Sequence, residues 1–168
     1  MEKEEYEGEV AFKERRRLDE RIELMNKQRA LVEIGSKLSG EIREEALDWW
    51  KESLHNLRQA RRNMEIEEYS VAAFLSHQAA EKALKALYIV TKARLPPRGH
   101  DLIKLGRALE ASEIMDELKA LNPHYTVARY PNAANTVPSE AYSKEIAARC
   151  LEAAERVVEW ARRKGSLP

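Results

Sequence analysis

The sequence predicts an all-α chain, an up-down helical bundle of four to five core helices with an extra charged helix at the amino terminus. Apolar residues recur at three- and four-residue spacing over several long stretches, no segment shows strand alternation, and most connections are short. At 168 residues, 43% of them hydrophobic, the chain can close a real core. Its expected organisation is a helical extension over residues 1–40 and a bundle domain over 41–165.

In the first stretch, to about residue 38, Leu24, Leu31 and Leu38 fall at seven-residue spacing, and Leu18, Ile22, Met25 and Val32 make a second apolar line. Its Arg15-Arg16-Arg17 run lies among Glu14, Asp19 and Glu20 and reads as a solvated face. Ser39-Gly40 interrupts the pattern. Ala46, Trp50, Ser53, Leu57, Ala60 and Met64 then carry an amphipathic helix to about residue 66.

The stretch from Ser70, a candidate cap, to about Ala93 is apolar nearly all round. Phe74, Leu75, Ala79, Ala83, Ala86, Leu87 and Val90 cover most of its circumference, and His77, Gln78, Glu81, Lys82 and Lys85 form one narrow strip. Such a helix is central, and its polar strip is the place to look for function. Leu95-Pro96-Pro97-Arg98-Gly99-His100 is a turn. Short helices follow from Asp101 and, capped by Ser112, to about Leu121. Residues 122–138 are too irregular for a long helix, and ordered loops of this length are often functional. Ser139 is expected to cap the last helix, whose apolar face includes Tyr142, Ile146, Cys150, Ala154, Val157 and Ala161.

Lysine plus arginine equal aspartate plus glutamate at 29 each, so no global field draws the chain to nucleic acid or an anionic membrane. There is no apolar run of the roughly eighteen residues that a membrane span requires. The start Met-Glu-Lys-Glu-Glu is no secretory leader, and the lone Cys150 forms no internal disulfide, so the cytoplasm is the expected compartment. No glycine-rich phosphate loop and no His-Glu-x-x-His is present, and His55, His77, His100 and His124 are scattered, so neither a metal nor a cofactor is expected.

Gln78-Ala79-Ala80-Glu81-Lys82-Ala83-Leu84-Lys85-Ala86-Leu87, then Gly99-His100-Asp101-Leu102, then Tyr125 and Arg129-Tyr130-Pro131 before the last helix, resemble the HEPN domain (higher eukaryotes and prokaryotes nucleotide-binding) over about residues 43 to 163. The resemblance implies a dimerising four-to-five-helix bundle, usually bacterial or archaeal. Such domains are often encoded beside a small nucleotidyltransferase, with which they act as a toxin–antitoxin or regulatory pair. Members with nuclease activity carry an arginine, four to six other residues, and a histidine. Counted from Arg129, that histidine is missing from Ala134, Asn135 and Thr136. Arg94 and His100 have the spacing but lie in another loop.

The favoured reading is therefore a non-catalytic module binding a nucleotide or nucleic acid in a groove. Its ligand residues are Gln78, Glu81, Lys82, Lys85, His100, Asp101, Tyr125, Arg129 and Tyr130. Lys82, Lys85 and Arg129 converge on phosphate, Tyr125 or Tyr130 stacks, and Gln78 and Glu81 read a sugar or base edge. The alternative is a metal-independent ribonuclease with a displaced base, His77 or His100. The same residues also admit a packing role, with Glu81 on Lys85, and with Gln78 and His100-Asp101 tying down loops.

Overall fold

The computed structural model describes residues 39–168 together with Glu20, Arg21 and Met25. The expected amino-terminal helix otherwise lies outside the described residues. The chain divides into two compact units, Met1–Glu41 and Ile42–Pro168. The second unit is all-helical, with no strand among the described residues.

Within it α1 takes residues 42–65, α2 Tyr69–Lys92, α3 Leu102–Ala108, and α4 Met115–Leu121 after a 3-10 turn at Ser112–Ile114. Three one-turn helices follow, α5 at His124–Val127, α6 at Pro131–Ala134 and α7 at Pro138–Ala141, and α8 at Lys144–Gly165 closes the unit. The stretch read as irregular thus folds into single turns. Pro131 and Pro138 each open one, because a fixed φ and a missing N–H suit the first helical position.

Helix α2 is the axis. Ala72, Ala73, Ala79, Ala80, Ala83 and Ala86 are fully buried, and α8 packs along it with Ala147, Ala154 and Ala161 equally buried. Small side chains on both faces let the backbones approach, while Trp50, Leu84, Leu87, Leu118, Leu121 and Val157 fill the spaces between. The buried hydroxyls are satisfied, Ser53 donating to the Ala79 carbonyl at 2.7 Å and Ser76 to that of Ala72 at 2.8 Å. Gly106 in α3 lies close against α4, and a Cβ there would force the end of the buried Leu118 side chain to shift.

The caps differ from expectation. α2 starts one residue before Ser70 with no side-chain cap. Ser112 lies inside the 3-10 turn, whose own cap is Ala111. The last helix is capped by Ser143, which accepts from the Ile146 amide, because Pro138 starts a separate turn that Ser139 belongs to. Cys150 is core as expected, and burial pushes its thiol up to about 11, which keeps it unreactive. No helix among the described residues is long and apolar enough to cross a membrane.

Candidate functional site

The polar strip of α2 converges on one carboxylate. Lys85, one turn along, donates to Glu81 at 2.6 Å. Gln78 donates to it at 3.3 Å, and His100 Nδ1 lies 3.1 and 3.0 Å from its two oxygens. Glu81 is 3% exposed and Lys85 7%, so the centre of the strip is enclosed, and Glu81 on Lys85 is the packing pair that the sequence also admits. Burial of a charge in this way is tolerable only because it is paired and hydrogen-bonded. A carboxylate only accepts, so Nδ1 of His100 carries the proton. Its Nε2 has no partner among the described residues, on a side chain 45% exposed.

Three local features bring His100 to this point. Gly99 takes φ +105°, a conformation that glycine adopts without strain. Asp101 turns its carboxylate forward onto the amides of Ile103 and Lys104 at 2.9 and 3.1 Å, capping α3. His77, fully buried on α2, holds the His100 carbonyl through Nε2 at 3.1 Å. Burial lowers the His77 pKa to about 4, so the ring is neutral, with its proton on Nε2 as donor. Its Nδ1 accepts from Gln78 at 3.4 Å. The 3.8 Å approach of that nitrogen to Glu81 is therefore no ion pair near neutrality. His77 has no free nitrogen facing solvent, which removes it as a candidate base.

The ring of Tyr125, from α5, stacks on that of His100 with centroids 3.9 Å apart and 15° between planes. The Arg129 guanidinium carbon stands 4.1 Å from the same tyrosine centroid. Two planar groups this close cannot share one side of a ring, so His100 and Arg129 take opposite faces. Arg129 also lies 4.7 Å from the Phe74 ring and 4.9 Å from that of Tyr130, and its Nε donates to the Tyr125 carbonyl at 2.7 Å. Aromatic faces attract a cation through their quadrupole, so the cage fixes the guanidinium and leaves its terminal N–H groups uncommitted. No carboxylate pairs with Arg129 among the described residues.

The structure thus brings together Gln78, Glu81, Lys85, His100, Tyr125, Arg129 and Tyr130. It does not bring in Asp101, which caps α3, or Lys82, which reaches across to α1 and donates to Asn56 at 2.7 Å and Glu52 at 3.3 Å. With Lys85 closed onto Glu81, the three cations do not converge, and Arg129 is the one of the three without an acidic partner among the described residues. Phe74 is the member that sequence reasoning left in the core. Its spacing of four before Gln78 puts it on the same strip, a signal that would have found it. Among the described residues no group of three or more His, Cys, Asp and Glu side chains is placed to hold a metal.

A model of the HEPN domain matches residues 46–164. Among solved structures, a protein from Thermus thermophilus is 29% identical with a TM-score of 0.66, over 71% of this chain and 97% of that one. An archaeal HEPN homologue is 32% identical with a TM-score of 0.59, over 70% and 95%. A HEPN domain protein from Thermotoga maritima, 21% identical with a TM-score of 0.53 over 69% and 95%, has the same fold. No curated protein matches the chain.

Proposed function

Because the chain belongs to the HEPN domain family, we propose that it is a nucleotide- or nucleic-acid-binding and interaction module whose ligand phosphate is taken by Arg129. The single observation supporting this is the caged, unpaired guanidinium. An arginine stacked on aromatic rings and lacking a carboxylate is preorganised for an anion, and the half-exposed Tyr130 ring beside it offers a base a stacking face. The reading includes a homodimer, a small nucleotidyltransferase as partner and a cytoplasmic setting, and these rest on the family resemblance. Calorimetric titration with a nucleotide tests the site. Arg129→Ala abolishes the binding heat if Arg129 is the phosphate contact, and an unchanged isotherm sinks the assignment.

A second reading has its own support. His100 oriented by a buried carboxylate on Nδ1, with Nε2 free and Arg129 across one ring, is the arrangement a general base needs beside a phosphorane-stabilising cation. This favours His100 as the displaced base of a metal-independent ribonuclease. Purified protein would then cut RNA in the presence of a chelator, and His100→Ala would abolish cutting. Absence of cleavage across varied RNA substrates disposes of this reading and leaves binding intact.

A further inference from the structure

We infer that His100 is a second, proton-switched anion contact beside Arg129, and that Glu81, held by Lys85, is the positioning residue that fixes its tautomer. The inference rests on the phosphate-binding reading above and names how that site is regulated.

From α2 the His100 imidazole meets the Glu81 carboxylate through Nδ1, with the Lys85 ammonium 2.6 Å beyond that carboxylate and neutral His77 bound to its own carbonyl. From its own turn come Asp101, whose carboxylate is spent on the α3 amides, and Arg98, which is exposed. From α5 it meets the Tyr125 ring, with the Arg129 guanidinium on the far face and His124, whose pKa burial lowers, on the same short helix. When His100 is neutral, Glu81 and Lys85 form a closed pair and the cation on the stack is Arg129. When His100 binds a proton at Nε2, a second N–H donor and a second positive charge appear on the exposed side of the ring.

Glu81 stabilises that charge, while Lys85 and Arg129 oppose it. An anion bridging the edge of Tyr125 removes the opposition from Arg129 and accepts from Nε2. Binding and proton uptake are therefore linked, each favouring the other to the same degree. Histidine is the side chain suited to this exchange around neutral pH. A neutral His100 accepts at Nε2 and faces a phosphate oxygen with a lone pair, which is unfavourable. The switch therefore has a repulsive state as well as an attractive one.

The test is fluorescence anisotropy of a labelled single-stranded oligouridylate with the full chain, at constant ionic strength, from about pH 8 to about pH 5.5. The wild type is expected to bind about five- to tenfold more tightly at the acidic end, the effect of one added charge–phosphate contact, and His100→Gln to give a flat profile. Calorimetry in buffers of different ionisation enthalpy should show proton uptake on binding for the wild type and none for His100→Gln. Glu81→Gln should keep a sloping profile with its midpoint moved to lower pH. If that buried substitution prevents folding, the surface-facing His100→Gln decides. A slope that persists in His100→Gln, or wild-type binding with no slope, overturns the switch and leaves the Arg129 contact standing. Absence of binding at every pH overturns both.

Discussion

The His100 and Tyr125 rings lie nearly parallel, 3.9 Å between centroids, and together with the 2.8 Å bond from the Leu102 amide to the Asn122 side chain they tie the turn before α3 to the start of α5. Tyr125 contributes its ring and its main-chain carbonyl to the site, and among the described residues its hydroxyl makes no hydrogen bond there. Tyr125→Phe should therefore bind nucleotide as the wild type does. Tyr125→Ala should lower the unfolding free energy by about 1–2 kcal/mol, the loss of an aromatic stack with its burial, and weaken binding. Urea denaturation and the same titration check both. A hydroxyl dependence would show that the ring face is not what holds His100 and Arg129 in place.

Arg129 acts through a planar group seated against three rings. A lysine there keeps the charge but not the plane, so Arg129→Lys should lose nearly as much affinity as Arg129→Ala. Anisotropy titration of the two variants side by side measures this. Recovery of most of the affinity by lysine would mean that charge alone suffices.

Lys82 was expected in the site and instead serves α1. Lys82→Met should leave nucleotide affinity unchanged and affect only stability, by about 1 kcal/mol or less, because the ion pair with Glu52 is mostly exposed on the Glu52 side. A loss of affinity in calorimetry would return Lys82 to the phosphate contact.

A side chain at Gly106 finds room only by displacing the end of buried Leu118. Gly106→Ala should destabilise the unit by about 1–3 kcal/mol through overpacking of α3 on α4, read as a lower urea midpoint. Gly106→Ala combined with Leu118→Ala should relieve part of this.

His77 makes stability pH-dependent. Its folded pKa lies near 4 against an ordinary 6.5, because burial disfavours the charged ring. Between these values the unfolded chain binds a proton that the folded chain refuses, so stability falls as pH drops from about 6.5 to about 4. Above that window His77 contributes no slope. The full effect is about 3 kcal/mol at most. His124, also lowered by burial, acts in the same direction. Urea midpoints across this range should fall steeply for the wild type and less steeply for His77→Gln, and equal slopes would refute the assignment.

The helices were legible because α2 and α8 carry long runs of alanine and leucine at helical spacing, and the family motifs fix their order. The site was half legible. Arg129, Tyr125 and Tyr130 sit within six residues, and Glu81 with Lys85 is an ordinary one-turn pair on a helix. The contact between Glu81 and His100 bridges 19 positions and depends on how the Gly99 turn folds back, which no local pattern encodes. The direction of Lys82 was equally hidden, because a long side chain at the edge of a strip can reach either neighbour, and Asn56 on α1 offers the shorter bond. Single-turn helices such as α5 and α6 have no periodicity to read, since four residues complete barely one turn.

Glu81 is bonded at once to a lysine on its own helix and a histidine on a separate turn, and this constrains how the protein can drift. Losing the acid alone strands a buried ammonium and frees the turn. Losing the lysine alone leaves a buried acid with half its support. Neutral replacement at one position becomes tolerable only after a matching change at the others. Positions 81, 85 and 100 should therefore vary as a set among relatives that keep this turn, while their exposed neighbours change independently.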